Sequence, residues 1–515
     1  MVDYEDFLYC DFPHPETHPD RLACLGTLLG LSPTSPDQCR VLELGCGLGG
    51  NLIGLAVALP GSSFVGIDRS AKQIAAGQEV ISTLGLSNIA LHAQDILEFA
   101  QSATLGTFDY ILCHGIYSWV PQPVRAAILQ IIGRCLSPQG IAYVSYNTLP
   151  GWHMRGMVRE LLRRHAGDGT HTERLARARA FLTMLESVPS DRSPAHAYLS
   201  SEVRLLGQLG DEYLFYEHLV DENQPLYFRD FAEAAASVGL QYLGDAHQQS
   251  TLQTRLGQDA LEAIATADVV EQEQHLDYLE LRFFRRTLLC RSELQVVRKP
   301  RVEQLRKLRV LSLLQPESEL VDPHAEAPHL FRGAGERGVS VHEPLLKVAL
   351  ELLSERAPAT APFVELCEAS WAWLTGVPDA SALPEAFEQL AGSIVRLLGR
   401  GFVQLRLGGA RAVPVPGLYP LTTSLVRLQA ARGNSCTNLR HESVQVNDLD
   451  RALLRRLDGT RLLETLWREV LTDLTDGEYG LQRGEQSLPV TDPAEVYEIV
   501  EQQLQRLARA GFLLA

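Results

Sequence analysis

A chain of 515 residues is too long for a single hydrophobic core, so we expect two to four domains. Hydrophobic residues at 45% and charged residues at 21% are typical of a globular protein, and no apolar run is long enough to predict a membrane span. The formal net charge of -17 disfavours nucleic acid and favours cationic partners.

The start of the chain and its cysteines predict where the protein resides. The first residues are acidic and lack the apolar segment of a secretory signal. The nine cysteines are scattered without the spacing of metal ligands, which predicts reduced thiols and no metal site. These features together predict a cytoplasmic protein.

Residues 41–51 are the most informative stretch, and they read Val-Leu-Glu-Leu-Gly-Cys-Gly-Leu-Gly-Gly-Asn. The pattern predicts a buried strand, a glycine turn and a helix over residues 51–59. Gly45, Gly47 and Gly49 allow positive φ and a close approach of a ligand to the backbone. Glu43 lies at the carboxyl end of the strand, where open α/β sheets bind ligands. A carboxylate there suits S-adenosylmethionine, whose ammonium and sulfonium groups are positive.

A second cofactor stays open at this point, because Gly45, Gly47 and Gly50 also satisfy the dinucleotide pattern G-x-G-x-x-G. The next predicted strand ends at Asp68, followed by Arg69, where either cofactor would place its ribose diol. A third strand over residues 89–96 ends at Asp95 and Ile96. A carboxylate there suits an adenine amino group with an apolar side chain beside the base, which favours S-adenosylmethionine.

Aromatic side chains follow the fourth and fifth predicted strands, which cover residues 108–114 and 141–146. His114 and Gly115 end the fourth strand and are predicted to lie beside the methionine portion of the cofactor. Packing explains any one aromatic residue well, but four of them after two neighbouring strands favour an aromatic-walled pocket. Such a pocket suits a methylammonium group through cation–π attraction. The four aromatic residues are Tyr117, Trp119, Tyr146 and Trp152.

Four further segments carry a family resemblance: residues 17–23, 114–121, 145–153 and 223–228. With the glycine motif, Asp68 and Asp95, they resemble class I S-adenosylmethionine-dependent methyltransferases that carry a methyltransferase regulatory domain. More narrowly, they resemble the rickettsial-type protein-lysine methyltransferases that modify outer-membrane proteins. The resemblance covers about the first 310 residues well and the remainder only in general organisation.

The resemblance implies an α/β fold, with a Rossmann-like seven-stranded methyltransferase domain, a helical insertion and mainly α-helical, winged-helix-like C-terminal domains. It also implies a protein substrate with lysine acceptors, such as an outer-membrane protein before export, and a homodimer through the insertion. The predicted cofactor residues are Glu43, Gly45, Gly47, Gly49, Asp68, Arg69, Asp95, Ile96, His114 and Gly115. The residues predicted to orient the acceptor amine are Tyr117, Trp119, Tyr146 and Asn147.

Five regions follow from the predicted elements. Helices fill residues 154–206, residues 213–216 are predicted to be extended, and residues 240–243 and 282–290 would complete the sheet. Residues 220–225 are expected near the substrate entrance. Residues 315–343 are predicted to be an exposed boundary and residues 432–439 a loop. The predicted regions are 1–165 (cofactor-binding domain with an N-terminal lid), 166–212 (insertion), 213–310 (regulatory region), 311–410 (winged-helix-like middle domain) and 411–515 (C-terminal domain).

The segment before the first strand is open to two interpretations. Thr17 is predicted to cap a helix that contains Pro19 in its first turn. The segment either covers the edge of the sheet or forms a lid over the cofactor. The lid would direct Tyr4, Tyr9, His18 and Arg21 toward the cofactor.

Three functions remain open from the residues alone: a protein-lysine methyltransferase, a small-molecule or nucleic-acid methyltransferase, and a cofactor-binding regulatory protein without turnover. A lysine amine has a pKa of about 10.4 in water, so its proton must be lost before it attacks a methyl group. A neutral amine is a good nucleophile. We therefore predict a site dominated by positioning, in which a dedicated general base is not required.

Overall fold

The computed structural model describes residues 12–102, 106–247, 268–298, 301–318, 322–333, 337–376, 383–409, 411–475, 481–483, 486–488 and 493–514, together with residues 262, 264 and 335. Tyr4 and Tyr9, which the sequence suggested for a lid, lie outside the described residues. The eight described cysteines are buried, and none of them forms a disulfide.

A seven-stranded sheet forms the first half of the molecule, with the strand order β3-β2-β1-β4-β5-β7-β6. The first five strands are parallel, and β7 runs antiparallel to both β5 and β6. This order confirms the predicted Rossmann-like fold and the two strands expected to complete it. The strands are β1 (Arg40–Leu44), β2 (Ser63–Asp68), β3 (Ile89–Ala93), β4 (Phe108–Cys113), β5 (Leu136–Asn147), β6 (Leu240–Asp245) and β7 (Phe284–Arg291).

Helices cover both faces of this sheet. In β1, Val41 belongs to the hydrophobic core on one face, and Leu42 and Leu44 belong to the core on the other. A strand buried on both faces accounts for the continuous apolar run in the sequence. The helices are α1 (Pro19–Leu28), α2 (Gly50–Ala58), α3 (Ala71–Leu84), α4 (Ile96–Gln101), α5 (Gln122–Cys135), α10 (Phe228–Ala236) and α11 (Val269–Glu280).

Four helices between β5 and α10 share a separate core, which contains Val158, Leu182, Val203 and Phe215. The predicted helical insertion is therefore present. The first of the four helices, which begins at Gly151, belongs to this insertion because it shares the same core. The prediction of extended chain at residues 213–216 is wrong. Leu214 and His218 are buried one helical turn apart, which fits a helix and not a strand. The helices are α6 (Gly151–Ala166), α7 (His171–Glu186), α8 (Pro194–Gln208) and α9 (Asp211–His218).

The middle region packs three long helices around a three-stranded sheet of order β12-β8-β13. Residues 315–343 are more than an exposed boundary, because they contain an antiparallel sheet of order β11-β10-β9 whose Phe331 is fully buried. The elements are α12 (Val302–Leu305), β8 (Arg309–Ser312), β9 (Gln315–Pro316), β10 (His329–Arg332), β11 (Gly338–Val341), α13 (Pro344–Arg356), β12 (Ala361–Pro362), α14 (Phe363–Thr375), α15 (Leu383–Arg400) and β13 (Val403–Arg406).

The C-terminal region has its own core, which includes Leu453, Val470 and Leu504. Residues 432–439 are not entirely loop, because Ser435 to Thr437 pair with a second short strand. The elements are α16 (Ser424–Arg432), β14 (Ser435–Thr437), β15 (Ser443–Gln445), α17 (Asp448–Arg456), α18 (Leu463–Thr475), β16 (Leu481–Arg483), β17 (Gln486–Leu488) and α19 (Pro493–Arg509).

Helix α1 joins the N-terminal segment to the middle region. Its cap is His18, whose Nδ1 accepts from the Asp20 amide at 3.1 Å, so the predicted cap at Thr17 is wrong by one residue. The Asp20 carboxylate accepts from the amides of Leu407 and Gly408 at 2.8 and 2.7 Å. In the described part of the chain, no helix is long and apolar enough to cross a membrane.

Candidate active site

A cavity of about 600 Å³ lies at the carboxyl edge of the parallel strands. The lining residues form two groups by their place in the chain, and the first group, which we call the strand-end wall, comes from the N-terminal segment and the loops after the first four strands. The second group, which we call the second wall, comes from the later part of the β4 loop, the first turn of α5 and the α9 region. The strand-end wall includes Phe12, His14, Glu43, Gly45, Cys46, Gly47, Leu48, Asn51, Asp68, Arg69, Gln73, Asp95, Ile96, Leu97, His114, Gly115 and Ile116. The second wall comprises Trp119, Val120, Pro121, Val124, Tyr216, Glu217, Val220, Asp221 and Glu222.

The glycine turn exposes backbone to the cavity. Gly45 has φ +74°, and a Cβ atom there would lie 2.5 Å from Ile116 Cγ1, so a larger residue would be excluded. Gly47 also has positive φ and lines the cavity. Gly49 does not line it: this residue starts α2 in the left-handed conformation, and a Cβ there would press on Leu91. Gly49 therefore shapes the turn, and its contact with the cofactor stays a prediction from the sequence.

Glu43 is buried in the wall, with its side chain 4% exposed. Asn51, at the start of α2, donates from Nδ2 to Glu43 Oε1 at 2.9 Å. This hydrogen bond fixes the carboxylate at the end of β1, where a bound ammonium group would meet it. The sequence identified Glu43 but did not identify Asn51.

Asp68 and Asp95 end the second and third strands on the same edge. Asp68 is held by two backbone amides, those of Gly47 at 3.0 Å and Ser70 at 2.9 Å. Asp95 caps α4 by accepting from the Leu97 amide at 2.7 Å. Both carboxylates are thus oriented before any ligand binds. Arg69 and Ile96 line the cavity beside them, as predicted.

Two imidazoles face each other where β4 ends. The rings of His14 and His114 stack with centroids 3.7 Å apart, and His114 Nδ1 lies 2.8 Å from the Tyr143 hydroxyl. Burial lowers the pKa of His14 to about 4 and that of His114 well below its ordinary value, so both are neutral near pH 7. The amide of Gly115 donates to Ser145 Oγ at 2.8 Å, which orients the turn. His14 was not predicted, because its segment carries no motif that points into the cavity.

The donor groups of this wall match the functional groups of S-adenosylmethionine. Glu43 suits the ammonium, Asp68 the ribose diol, and Asp95 with Ile96 the adenine. A Cβ atom at Gly115, where φ is +67°, would meet nothing within 4 Å, so this turn leaves open space in the cavity. The residues present therefore fit this cofactor.

The second wall carries three carboxylates and an indole. Glu217, Asp221 and Glu222 come from the end of α9 and the loop after it, and Trp119 comes from the β4 loop. Burial raises the pKa of Glu217 to about 7, although Arg155 and Arg159 oppose the shift. Arg163 pairs with Asp221 at 2.5 Å. The wall is therefore aromatic and acidic, a combination that attracts cations.

The loop that carries these carboxylates is tied to the sheet. The Asn147 side chain donates to Asn223 Oδ1 at 3.0 Å, and the Gln224 amide donates to the Ser118 carbonyl at 2.8 Å. Residues 220–222 line the cavity, as expected for a segment near the substrate entrance. Glu217 was not predicted from the sequence, because residues 213–216 were predicted to be extended. Without the helix α9, the side of the helix that carries Glu217 could not be assigned to the cavity. The helical spacing of Leu214 and His218 was the signal that could have revealed it.

Three of the four residues predicted to orient the acceptor do not line the cavity. Tyr117 and Tyr146 pack on Phe231 in the core, and the Tyr146 hydroxyl lies 3.0 Å from Thr287 Oγ1. Asn147 is 2% exposed and holds the loop described above. Only Trp119 lies on the wall, where Trp152 packs against it edge to face. The structure thus places the other three away from this lining: the rings of Tyr117 and Tyr146 turn back into the core, and Asn147 holds a loop.

A sheet of this order, with a glycine turn after β1 and acidic residues at the next strand ends, defines a class I S-adenosylmethionine-dependent methyltransferase. Three family profiles agree with that class. "Methyltransferase domain" matches residues 35–184, "Predicted methyltransferase regulatory domain" matches 210–291, and "PKMT, C-terminal winged helix domain" matches 419–512.

Relatives extend the match to nearly the whole chain. An uncharacterised protein of Rickettsia prowazekii is 33% identical over 495 residues, which cover 94% of this chain and 88% of the relative. A second one from the same organism is 36% identical over 236 residues, 45% of this chain and 94% of the relative. The structure of PKMT2 from Rickettsia typhi matches with a TM-score of 0.88 at 28% identity, covering 98% of this chain and 100% of that one.

PKMT2 has also been solved in complex with AdoHcy, and that structure matches this chain with a TM-score of 0.89. The chain therefore belongs to the PKMT (protein-lysine methyltransferase) family of S-adenosylmethionine-dependent methyltransferases. The predicted class, cofactor and winged-helix C-terminal domain are confirmed.

Proposed function

We propose that this enzyme transfers methyl groups to lysine side chains of a protein substrate, and that the second wall receives the lysine. The observation that carries the proposal is that Trp119, Glu217, Asp221 and Glu222 all line the cavity that the strand-end carboxylates line. Carboxylates attract the lysine ammonium, and the indole attracts the methylammonium product through cation–π contact. A dinucleotide or a nucleic-acid phosphate would be repelled by the same groups.

Glu43, Asp68, Asp95 and Ile96 are proposed to hold the cofactor on the strand-end wall. When bound, S-adenosylmethionine supplies an electrophilic methyl group. The chain supplies orientation, because Asp68 and Glu43 are already fixed by the hydrogen bonds described above. Gly45, Gly47, Arg69, His114 and Gly115 complete this proposed binding surface.

Glu217 is proposed to accept the proton that the lysine must lose. Its raised pKa, about 7, places the carboxylate near the pH at which a general base works best. Arg155 and Arg159 lie close enough to favour its charged form. This proposal departs from the prediction made from the sequence, which was a site dominated by positioning with no dedicated base.

A protein acceptor is supported by family membership and by the acidic residues that the α9 region contributes to the lining of the cavity. Three finer statements stay predictions from the sequence: that the acceptor is an outer-membrane protein methylated before export, that the chain forms a homodimer, and that it is cytoplasmic.

The test is transfer of labelled methyl groups from S-adenosylmethionine into a lysate of the source organism, followed by peptide mass analysis. We expect label on lysines of one or a few proteins. Label confined to small molecules, or retained on DNA or RNA, would overturn the lysine proposal. Cofactor binding with no label in any fraction would favour a regulatory protein without turnover.

A further inference from the structure

A residue of the C-terminal domain reaches the cofactor cavity through one hydrogen-bonded amide. His441 Nε2 lies 2.8 Å from Asn51 Oδ1, and the two residues are 390 positions apart in the chain. Asn51 lines the cavity and donates to Glu43, which is proposed to bind the cofactor ammonium. Two hydrogen bonds therefore connect the C-terminal domain to the Glu43 carboxylate, which is proposed to bind the cofactor.

The amide of Asn51 has its hydrogen-bonding capacity filled. Its Oδ1 accepts from the His14 amide at 3.0 Å and from His441, and its Nδ2 donates to Glu43 and to Thr17 Oγ1 at 3.1 Å. Since Oδ1 only accepts, His441 Nε2 carries the hydrogen. Burial keeps His441 neutral by lowering its pKa to about 3, so a single donor faces Asn51.

Two local features break ordinary preferences at this contact. His441 has φ +62°, a left-handed conformation that non-glycine residues seldom adopt, and such strain persists where surrounding structure requires it. Gly54 lies in the interior of α2, where glycine weakens a helix, and a Cβ there would lie 3.0 Å from His441 Cε1. Both features let the imidazole approach α2 closely.

The turn that carries His441 is held in place by hydrogen bonds. Asn438 Oδ1 accepts from the amides of Arg440 and Glu442, both at 3.0 Å, and Asn438 Nδ2 donates to the Ala510 carbonyl at 3.0 Å. His441 is 3% exposed, and its ring meets that of His18 edge to face. The C-terminal domain thus presents one rigid donor to the cofactor site.

We propose that the C-terminal winged-helix domain completes the cofactor site, with His441 as a positioning residue that fixes Asn51 and, through it, the Glu43 carboxylate. The proposal rests on the cofactor role proposed for Glu43. It assigns an effect on cofactor affinity to a domain that contributes none of the described lining residues of the cavity.

The experiment measures AdoHcy affinity by calorimetry on the full chain. His441→Gly removes the donor and suits the left-handed backbone, whereas His441→Gln retains an amide donor. We expect His441→Gly to weaken AdoHcy binding about five- to tenfold, as for one lost hydrogen bond, and His441→Gln to restore most of it. In an Asn51→Ala background, His441→Gly is expected to have no further effect.

Arg456→Gln is the matched control, because Arg456 pairs with Glu469 and Asp473 within the same domain at 3.0 and 2.7 Å. It is expected to lower thermal stability and leave AdoHcy affinity unchanged. Equal losses of affinity in Arg456→Gln and His441→Gly would overturn the proposal, because general destabilisation would then explain both.

Gly54→Ala tests the same contact without removing a side chain or weakening the helix. Its Cβ is expected to displace the His441 ring and weaken AdoHcy binding about twofold, while the higher helix propensity of alanine offsets part of the steric cost in thermal stability. Unchanged binding in both Gly54→Ala and His441→Gly contradicts the inference. Glu43→Gln distinguishes the proposed role of Glu43 from that of His441. If Glu43→Gln leaves AdoHcy affinity intact, the proposed role of Glu43 fails. If Glu43→Gln weakens binding and His441→Gly does not, only the positioning role of His441 fails.

Discussion

The two walls of the cavity are built in different ways. The strand-end wall takes its carboxylates from three successive strand ends within 53 consecutive positions, 43 to 95, and backbone amides orient Asp68 and Asp95. The second wall joins Trp119 to carboxylates about 100 positions later, on a helix and loop of the regulatory region. The strand-end carboxylates are thus close together in the sequence, whereas the second wall depends on how distant segments pack.

The largest effect is expected from a substitution in the strand-end wall alone. Asp68→Ala removes the carboxylate held by the Gly47 and Ser70 amides, and we expect AdoHcy binding to weaken by about ten- to a hundredfold, with loss of methyl transfer. Calorimetry and labelling measure the two effects. Asp37→Ala, on an exposed acid distant from the cavity, serves as the control. Normal labelling by Asp68→Ala would show that the ribose contact is misassigned.

Glu217→Gln is expected to impair the function of the second wall and to leave the strand-end wall intact. Loss of the proton acceptor should lower kcat by about 10² or more, with AdoHcy affinity unchanged. In the parent enzyme, kcat should rise with pH through about 7, and this limb should vanish in the variant. A parallel loss of AdoHcy affinity would place Glu217 on the cofactor side and contradict the division.

The same carboxyl gives a prediction for stability. The pKa of Glu217 is raised from 4.5 to about 7 on folding, so the folded state binds the proton more tightly than the unfolded state. Its contribution to stability is present below about pH 4.5 and is lost as the pH rises through about 7. Denaturant titrations at several pH values should show a smaller loss over this window in Glu217→Gln. An identical pH dependence in both chains would contradict the raised pKa.

Trp119→Ala is expected to have a smaller effect, on the acceptor side only. Loss of one cation–π contact, about 0.5 to 2 kcal/mol, should raise KM for the protein substrate by about two- to thirtyfold. Trp119→Phe keeps a ring and should lie between the two. Steady-state kinetics at saturating S-adenosylmethionine measures the change. If Trp119→Ala changed only the KM for the cofactor, the indole would belong to the other wall.

Tyr146→Phe should have the smallest effect. It removes the hydroxyl that lies 3.0 Å from Thr287 Oγ1 in the core, which should cost about 1 kcal/mol of unfolding free energy. Methyl transfer should stay normal, because the ring packs on Phe231 and away from the cavity. Denaturant unfolding and labelling measure the two quantities. A hundredfold fall in kcat would restore the role that the sequence suggested for Tyr146.

The same contrast explains what the sequence could predict. Glu43, Asp68 and Asp95 follow from periodicity, since carboxyl ends of parallel strands must meet at one edge. Asn51 and Glu217 did not follow, because a hydrogen bond to His441 and the face of α9 depend on packing between distant segments. Tyr117 and Tyr146 were assigned to the cavity because the sequence shows which loop a side chain occupies but not which way it turns.

The central claim is that the second wall admits a lysine. The most direct measurement is mass analysis of peptides after the purified enzyme has methylated proteins of the source organism with labelled S-adenosylmethionine, with Glu217→Gln run in parallel. We expect label on lysine side chains, and strongly reduced label with the variant although it binds AdoHcy normally. Label on another residue type, or on a metabolite, would contradict it.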